Sequence, residues 1–209
     1  VDDGSRDATW EALLAARAAD ARIKLVRLSR NFGKDVALTA GLRRAGGRAV
    51  VLMDADLQHP PELIPQFLAR WREGFDMVYA VRTSRSGDGL LRRWSSRAFY
   101  LLFAHVAKVR MPAGAGDFRL VDRRVADVLR DMPERARFMK GLYAWVGFRH
   151  GGVPFDPPDR KTGRTSFSPL RLMHFAVDAL ASFSTLPLVA SGYIGLFLAV
   201  PSLALAIYF

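Results

Sequence analysis

The C-terminal end of the chain restricts its fold more than any other feature, because a long apolar run there carries no charge. From Ala179 to Phe209, 31 residues pass without an Asp, Glu, Lys or Arg. A helix needs about 20 apolar residues to cross the hydrocarbon core of a bilayer. The run therefore predicts a transmembrane helix over Leu186–Phe209, which Pro201 can kink. The alternative, a buried helix of a soluble core, fits such a run poorly.

The segment before this run predicts a helix at the membrane surface. Residues 167–185 carry apolar side chains at helical spacing, with prolines at 169 and 187. The chain has a net charge of +11, and its arginines crowd the side that precedes the apolar run. The positive-inside rule therefore puts the preceding domain in the cytoplasm. No nucleic-acid-binding motif accompanies the charge, so anionic lipids or anionic substrates are the expected partners. The chain has no cysteine, which excludes disulfides and thiolate zinc sites.

The N-terminal part alternates short apolar runs with amphipathic segments, which predicts strands separated by helices. The expected strands are Ile23–Leu28, Ala49–Met53 and Met77–Val81, and the expected helices are residues 8–19, 35–44, 61–74, 89–106 and 134–147. Such alternation is typical of a parallel α/β sheet. Ligands of these sheets bind beyond the carboxyl ends of the strands.

Two carboxylates follow the apolar run Ala49–Met53, where the expected strand ends. Asp54 and Asp56 lie two residues apart, so an extended backbone points both side chains the same way. Unpaired carboxylates so close together repel each other, and a divalent cation removes that repulsion. Mg²⁺ and Mn²⁺ prefer oxygen ligands, and Mg²⁺ is commonly held by one or two carboxylates together with substrate phosphates. The alternative is a polar turn between a strand and a helix.

Several motifs, taken in order along the chain, resemble family 2 glycosyltransferases of the GT-A fold. Two of them are VDDGS at 1–5 and DADLQHP at 54–60. GDFRL at 116–120, RARF at 135–138 and RKTGRT at 160–165 are similar to the polyprenyl-phosphate branch, the group of dolichyl-phosphate mannose synthases and bactoprenol glucosyltransferases. The resemblance implies an α/β GT-A domain over 1–166, an interfacial helix over 167–185 and a transmembrane helix over 186–209. It also implies a first strand before residue 1 and further membrane helices after residue 209.

The resemblance implies roles for the acids of the first two motifs. Asp54 and Asp56 would bind Mg²⁺ or Mn²⁺, with Gln58 as a further ligand. Asp2 or Asp3 would contact the base or ribose of a nucleotide, although turn formation is the plainer role of both acids. The resemblance does not choose between these two acids.

Later residues are assigned to the acceptor and to catalysis by the same resemblance. Arg82, Arg92 and Ser96 would bind the acceptor phosphate, and Arg92 and Ser96 lie one turn apart on the expected helix 89–106. An amphipathic core helix with a solvated basic face is the alternative. Asp117 would be the general base or the group that orients the acceptor, and a turn residue is its alternative role.

Basic residues in two loops are candidate phosphate ligands. The polar loop 159–166 carries Arg160, Lys161 and Arg164, and related enzymes close a similar loop over phosphates. Many of them have a lysine where this chain has Ser166, and Arg164 can supply that charge here. Lys34 follows an Asn-x-Gly turn that lies beside the nucleotide in related enzymes, and a solvated surface lysine is the alternative.

The implied reaction transfers a sugar from a nucleotide diphospho-sugar, such as UDP-glucose, to a polyprenyl phosphate such as undecaprenyl phosphate. It would take place at the cytoplasmic face of a bacterial plasma membrane and invert the anomeric carbon. The expected partners are the donor, the acceptor, membrane lipid and a second copy of the chain.

Three rival functions fit the sequence less well. A processive polysaccharide synthase has Gln-x-x-Arg-Trp, whereas Gln66 and Arg70-Trp71 are one residue too far apart and come too early. A phosphatase that uses Asp-x-Asp expects Thr or Val where Gln58 stands. A non-catalytic membrane adaptor is the non-enzyme alternative, and it does not require acids at strand ends together with basic loops.

Overall fold

The computed structural model describes residues 1–56, 58–83, 103–105, 114–134, 137–156, 183 and 186–209. The chain divides into two compact units, one formed by 1–87 and 112–163 and the other by 88–111 and 164–209. The first unit contains helices α1 (Thr9–Ala19), α2 (Lys34–Arg44), α3 (Ile64–Arg72), α4 (Arg123–Asp131) and α5 (Met139–Trp145). Its strands are β1 (Ala49–Leu52), β2 (Met77–Arg82), β3 (Ala115–Asp122) and β4 (His150–Phe155). A short 3-10 turn, Pro61–Leu63, leads into α3.

The four strands form one mixed sheet in the order β1-β3-β2-β4. Strand β3 lies between β1 and β2 and runs antiparallel to both, while β2 and β4 are parallel. The prediction of a parallel sheet is therefore wrong at β3. No strand is predicted from the sequence over these residues, and the alternative role of Asp117 as a turn residue is wrong, because it lies within β3. Hydrophobic periodicity identifies strands, and it does not tell which later segment is inserted between two earlier ones.

The predicted strand Ile23–Leu28 is reduced to a single bridge between Asp2 and Arg27. The N–H of Asp2 donates to Val26 O at 2.8 Å, and the N–H of Leu28 donates to Asp2 O at 2.9 Å. Gly4 then takes φ = +69°, which turns the chain away and ends the pairing. The bridge nevertheless ties the acids at positions 2 and 3 to the loop that follows residue 28.

The hydrophobic core lies between α3 and one face of the sheet. The ring of Phe67 packs 4.9 Å from that of Phe118, and both side chains are fully buried. Burial of a Phe side chain contributes about 1.5–3 kcal/mol, so this pair contributes strongly to docking β3 against α3. The same packing places Asp117, the neighbour of Phe118, at the edge of the core. The cluster also contains Leu63, Val78, Ala80, Leu120, Val153 and Phe155.

The helix predicted over 134–147 is shorter in the structure. Helix α5 begins at Met139, and residues 135–136 lie outside the described residues. Phe138 has φ −103° and ψ 89°, which is not helical. The side chain of Arg137 donates to Leu129 O at 2.8 Å and to Met132 O at 2.6 Å. Arg137 thus caps the end of α4 and holds the chain out of a helix there. Helix α4 and strand β4 were not anticipated from the sequence.

The second unit is described mainly by one long helix, α6 (Leu186–Tyr208). Within it, Leu188–Tyr208 is long and apolar enough to cross a membrane, and large side chains such as Phe197 are exposed. Pro201 lies inside the helix without ending it. The expected interfacial helix lies outside the described residues except at Phe183, and the helix expected over 89–106 lies outside them except at 103–105, which are helical.

Candidate active site

Two carboxylates and a histidine converge just beyond the end of β1. Oxygen atoms of Asp54 and Asp56 and a ring nitrogen of His59 all lie within 4.8 Å of one another. Asp54 is partly buried and Asp56 is exposed, so the pair opens toward solvent. Asp56 also accepts the N–H of Gln58 at 3.1 Å, which closes a tight turn after the strand. The strand end thus presents two carboxylates in one place, as the i, i+2 spacing predicts.

His59 serves a different purpose from the two acids, although its nitrogen lies close to them. Its Nδ1 accepts the backbone N–H of Asp54 at 3.1 Å, so the lone pair of that nitrogen is already used. The ring is buried and stacks on Phe118 with centroids 5.0 Å apart and planes inclined by 12°. Burial lowers the pKa of His59, which favours the neutral ring with its proton on Nε2. His59 therefore holds the Asp54 turn against the core through its Nδ1 and its ring.

Gln58 turns its side chain toward the end of β2. Its Oε1 accepts a 3.4 Å hydrogen bond from the guanidinium of Arg82, the last residue of that strand. Arg82 is exposed, so this long contact leaves most of its donors open to solvent. Gln58 and Arg82, which the sequence suggested for metal and acceptor binding respectively, therefore lie side by side at the same edge of the sheet.

Lys34 lies between two acids that are far apart in sequence. Its Nζ is 2.6 Å from Asp54 Oδ2 and 2.6 Å from Asp117 Oδ2. Partial burial acts to lower the pKa of Lys34, but the two carboxylates outweigh it and the pKa is raised. Lys34 begins α2 directly after Gly33, whose φ of +95° lets the backbone turn into the helix. Lys34 is therefore a surface lysine, with 45% of its side chain exposed, whose ammonium pairs with two acids.

Asp117 is the most enclosed carboxylate of the site, with 13% of its side chain exposed. Burial acts to raise its pKa, but Lys140, Lys34 and Arg119 outweigh that effect, and the pKa lies below its ordinary value. Lys140 Nζ is 4.0 Å from Asp117 Oδ2. Among the residues that the structure describes, Asp117 Oδ1 has no hydrogen-bond partner although it is buried. Its lone pairs are therefore unsatisfied within the described part of the chain.

Arg119 is a buried cation whose positive charge acts on the Asp117 carboxylate. It is 4% exposed, and its guanidinium lies 3.6 Å from the centre of the Tyr143 ring. One of its nitrogens donates to Gly116 O, which ties the guanidinium to the strand that carries Asp117. Burial lowers the pKa of Arg119, yet a guanidinium keeps its charge in proteins. Sequence reasoning assigned no role to Arg119, although it lies in the GDFRL motif, and it did not single out Tyr143.

Asp2 and Asp3 precede residues that line a neighbouring cleft. Asp2 is buried, accepts the N–H of Ser5 at 3.1 Å and lies 3.4 Å from Arg27 Nε. Hydrogen bonding from Ser5 is the main cause that lowers the pKa of Asp2. Asp3 accepts the N–H groups of Phe32 at 2.8 Å and Gly33 at 2.9 Å. The cleft has a volume of about 500 Å³ and is lined by residues 4–6 and 27–31. Both acids thus shape loops around it.

Four residues with proposed acceptor or diphosphate roles lie outside the described residues. They are Arg92, Ser96, Arg160 and Arg164. The structure therefore brings together Asp54, Asp56, Gln58, Arg82 and Asp117 at one edge of the sheet, and it places Asp2 and Asp3 at the neighbouring cleft.

The residues at the strand end fit a divalent cation by the chemistry of their donors. Asp54 and Asp56 offer carboxylate oxygens at close range, and Mg²⁺ and Mn²⁺ prefer oxygen ligands. The ammonium group of Lys34 already contacts Asp54 in this cluster. Among the described residues, the side-chain oxygen of Gln58 has one hydrogen bond, its long contact with Arg82.

Comparison with known proteins agrees with this arrangement. The family model described as glycosyl transferase family 2 matches residues 1–130. The chain belongs to this family. An uncharacterized glycosyltransferase of Synechocystis is 46% identical over 206 residues, which covers 99% of this chain and 65% of the relative. The bactoprenol glucosyl transferase of Shigella phage SfV is 41% identical over 199 residues, which covers 95% of this chain and 65% of the relative. The chain thus spans less than two thirds of the length of these relatives.

A solved structure shows the same fold. Glucosyl-3-phosphoglycerate synthase from Mycobacterium tuberculosis, in complex with Mn²⁺, UDP-glucose and phosphoglyceric acid, matches with a TM-score of 0.52. The match covers 87% of this chain and 65% of that one at 19% identity. The prediction of a GT-A fold is confirmed, with the mixed sheet described above. The prediction of a family 2 glycosyltransferase is confirmed as well.

Proposed function

We propose that this glycosyltransferase moves a sugar from a nucleotide diphospho-sugar to a polyprenyl phosphate at the cytoplasmic face of a bacterial plasma membrane. UDP-glucose is the preferred donor in this proposal. One observation carries the proposal most directly, the meeting of Asp54 and Asp117 at one ammonium group beyond the end of β1. That arrangement puts a cation-binding carboxylate beside a second, ionised carboxylate with one free oxygen. Relatives named bactoprenol glucosyl transferases support the choice of acceptor.

Asp54 and Asp56 would bind Mg²⁺ or Mn²⁺, with Gln58 as a third ligand. When bound, the cation would neutralise charge on the departing nucleoside diphosphate. The solved neighbour that contains Mn²⁺ and UDP-glucose supports a divalent cation as the cofactor. His59 contributes by holding the Asp54 backbone against Phe118, so that the carboxylate keeps its position without a cation.

Asp117 has the properties of a group that orients the acceptor. Its pKa lies below the ordinary value, because positive charge from Lys140, Lys34 and Arg119 outweighs burial, so it is ionised at neutral pH. The second pKa of a phosphate monoester is near ~6, so a polyprenyl phosphate is already largely deprotonated there. Little proton abstraction is therefore required, and Asp117 acts mainly by orienting the acceptor for attack with inversion. Its Oδ1, which is buried and has no hydrogen-bond partner among the described residues, is the atom that would contact the acceptor once the site opens to it.

The cleft beside Asp2 and Asp3 is the proposed nucleotide site. Its lining combines Gly4 and Ser5 with three arginines, at 6, 27 and 30, which suit a ribose and a phosphate. Asp3 keeps the loop 31–33 in place through two backbone hydrogen bonds. Arg160 and Arg164 remain proposed ligands of the donor diphosphate.

Membrane attachment would bring the lipid acceptor to the site. Helix α6 is apolar enough to span a bilayer, and the preceding arginines place the catalytic domain on the cytoplasmic side in this proposal. Arg82, Arg92 and Ser96 are the proposed acceptor-phosphate ligands. The proposed domain limits are 1–166 for catalysis, 167–185 for the interfacial helix and 186–209 for the spanning helix.

The test is sugar transfer by the full-length protein in lipid nanodiscs that contain undecaprenyl phosphate. Labelled UDP-glucose, UDP-galactose, UDP-N-acetylglucosamine and GDP-mannose are supplied one at a time, and label is counted in the organic phase. We expect transfer from UDP-glucose that stops in EDTA and returns with Mn²⁺ or Mg²⁺. Asp54→Asn should lower the rate roughly 100-fold or more, since it removes a metal ligand. The control Asp131→Asn, at an exposed acid that pairs only locally with Arg130, should retain activity.

The outcomes separate the proposal from its rivals. Label in a long, water-soluble polymer would favour a processive synthase. No product with any donor would favour a non-catalytic adaptor. Full activity in excess EDTA would refute the metal assignment while leaving the glycosyltransferase assignment in place.

A further inference from the structure

Lys34 is the one described side chain that touches both the proposed metal-binding acid and the proposed acceptor-orienting acid. It reaches Asp54 from the start of α2 and Asp117 on β3, so three separate elements meet at its ammonium. Both contacts are 2.6 Å long, which is the short, charge-assisted kind. Charge-assisted contacts of this length indicate a specific arrangement more than a chance surface ion pair.

The charge balance around Lys34 explains why a cation is needed there. Asp54, Asp56 and Asp117 bring three carboxylates to one edge of the sheet, and Asp35 adds a fourth beside Lys34. When no divalent cation is bound, Lys34 is the only positively charged side chain among the described residues that contacts Asp54. Lys140 lies 4.0 Å from Asp117, a longer contact, and its charge also acts on Asp35.

A divalent cation cannot simply be added to this arrangement. It would bind the carboxylate of Asp54 at about 2.0–2.2 Å from an oxygen, close to the ammonium that already contacts the same group. Like charges within about 4–6 Å disfavour each other. One of the two cations must therefore move, and Lys34 has a second carboxylate to hold it.

We propose that Lys34 is the internal counter-cation of the metal-free site, and that a divalent cation displaces its ammonium from Asp54 while leaving it on Asp117. This inference rests on the proposed function, since it needs Asp54 to be a metal ligand. Lys34 is thus a positioning residue. With no cation bound it ties Asp117 to Asp54, and with the cation bound it orients Asp117 alone. Binding of the divalent cation thereby breaks the link that Lys34 makes between Asp117 and Asp54.

The test measures Mn²⁺ binding by the full-length protein in detergent, without any nucleotide, from the electron paramagnetic resonance signal of free Mn²⁺. The variants are Lys34→Met, which keeps most of the side-chain stem and removes the charge, and Lys34→Arg, which keeps the charge. Lys24→Met is the matched control, because it removes one positive charge at an exposed lysine. Asp54→Asn reports whether binding depends on the proposed ligand.

We expect Lys34→Met to bind Mn²⁺ about 10- to 100-fold more tightly than the wild type, the range set by one displaced charged hydrogen bond. Lys34→Arg and Lys24→Met should stay close to the wild type. In EDTA, Lys34→Met should melt at a lower temperature than the wild type, because its carboxylates have lost their counter-cation. Addition of Mn²⁺ should raise its melting temperature by more than it raises that of the wild type.

Equal or weaker Mn²⁺ binding by Lys34→Met would overturn the inference. If Asp54→Asn abolishes binding in the same series, the metal assignment stands and only the role of Lys34 fails. If Asp54→Asn binds as well as the wild type, the proposed metal site itself is wrong. Circular dichroism checks that each variant is folded, and Lys34→Gln replaces Lys34→Met if the latter is not.

Discussion

Replacement of Asp35 by Asn should stabilise the protein at neutral pH, although it removes an acid from the first turn of a helix. Asp35 follows Lys34 in α2 and is partly buried. Burial is the largest cause that raises its pKa to about 6, and the nearby charge of Asp117 adds to it. The backbone N–H of Met139 donates to its carboxylate, and an Asn side chain can accept the same hydrogen bond.

The sign and size of the effect follow from the difference between the two pKa values. The reference pKa is 3.8 and the folded value is about 6, so between them the folded protein holds a proton that the unfolded chain has lost. Stabilisation by protonated Asp35 is complete below pH 3.8 and is lost as the pH rises through about 6. A difference of about two pKa units corresponds to about 3 kcal/mol. An uncharged Asn avoids that loss.

The assay compares the melting temperatures of wild type and Asp35→Asn between pH 4 and 8, in detergent with EDTA. The melting temperatures of the two proteins should converge as the pH falls toward 4 and separate between pH 4 and 6. Above pH 6 the free energies of unfolding should differ by about 3 kcal/mol, which corresponds to a difference of roughly 6–12 °C in melting temperature. Asp131→Asn is the control, because hydrogen bonding to Arg130 lowers the pKa of that exposed acid. It should show at most a small effect of opposite sign. A gap that does not depend on pH, or an Asn variant that is less stable at pH 8, would refute the reasoning.

Two further changes test the site. Asp117→Asn should lower turnover by roughly 100-fold or more, while donor affinity, measured by calorimetric titration, should change little. If donor binding is lost instead and turnover per bound donor is unchanged, Asp117 belongs to the donor site. His59→Phe keeps a ring against Phe118 but leaves the Asp54 N–H without its acceptor. The change should therefore lower the free energy of unfolding by about 1–3 kcal/mol. It should also weaken Mn²⁺ binding roughly 10- to 100-fold. Unchanged melting and Mn²⁺ affinity in His59→Phe would show that the Nδ1 contact is not needed.

Local sequence patterns were sufficient for most elements before residue 83, although the predicted strand Ile23–Leu28 is only a single bridge. The expected helices 8–19 and 35–44 and the expected strand Ala49–Met53 agree with the structure to within one residue at each end. These segments have clear periodicity and are bounded by turn residues, so local signals agree with the tertiary structure. The carboxylate pair at 54 and 56 could be anticipated for the same reason, since its geometry depends only on the strand that precedes it.

Contacts between distant segments were the part that the sequence could not supply. Nothing near Lys34 in the sequence shows that Asp54 and Asp117 lie beside it, because those acids come 20 and 83 residues later. His59 likewise looked like part of a loop motif, and its role depends on stacking against Phe118 from another strand. A helix over 134–147 was overextended for a related reason, since the side chain of Arg137 is used to cap the preceding helix.

The antiparallel insertion of β3 is what joins the two halves of the site. In the register of the sheet Leu52 is opposite Arg119, and continuing that register by two residues brings Asp54 opposite Asp117. Had β3 run parallel to β1, the opposite end of the strand would lie at this edge, and Asp117 would be at the far side of the sheet. A shift of one residue would turn Asp117 to the other face. The packing of Phe118 against Phe67 and His59 opposes such a shift, so the same core contacts that stabilise the sheet also set the separation of the two acids.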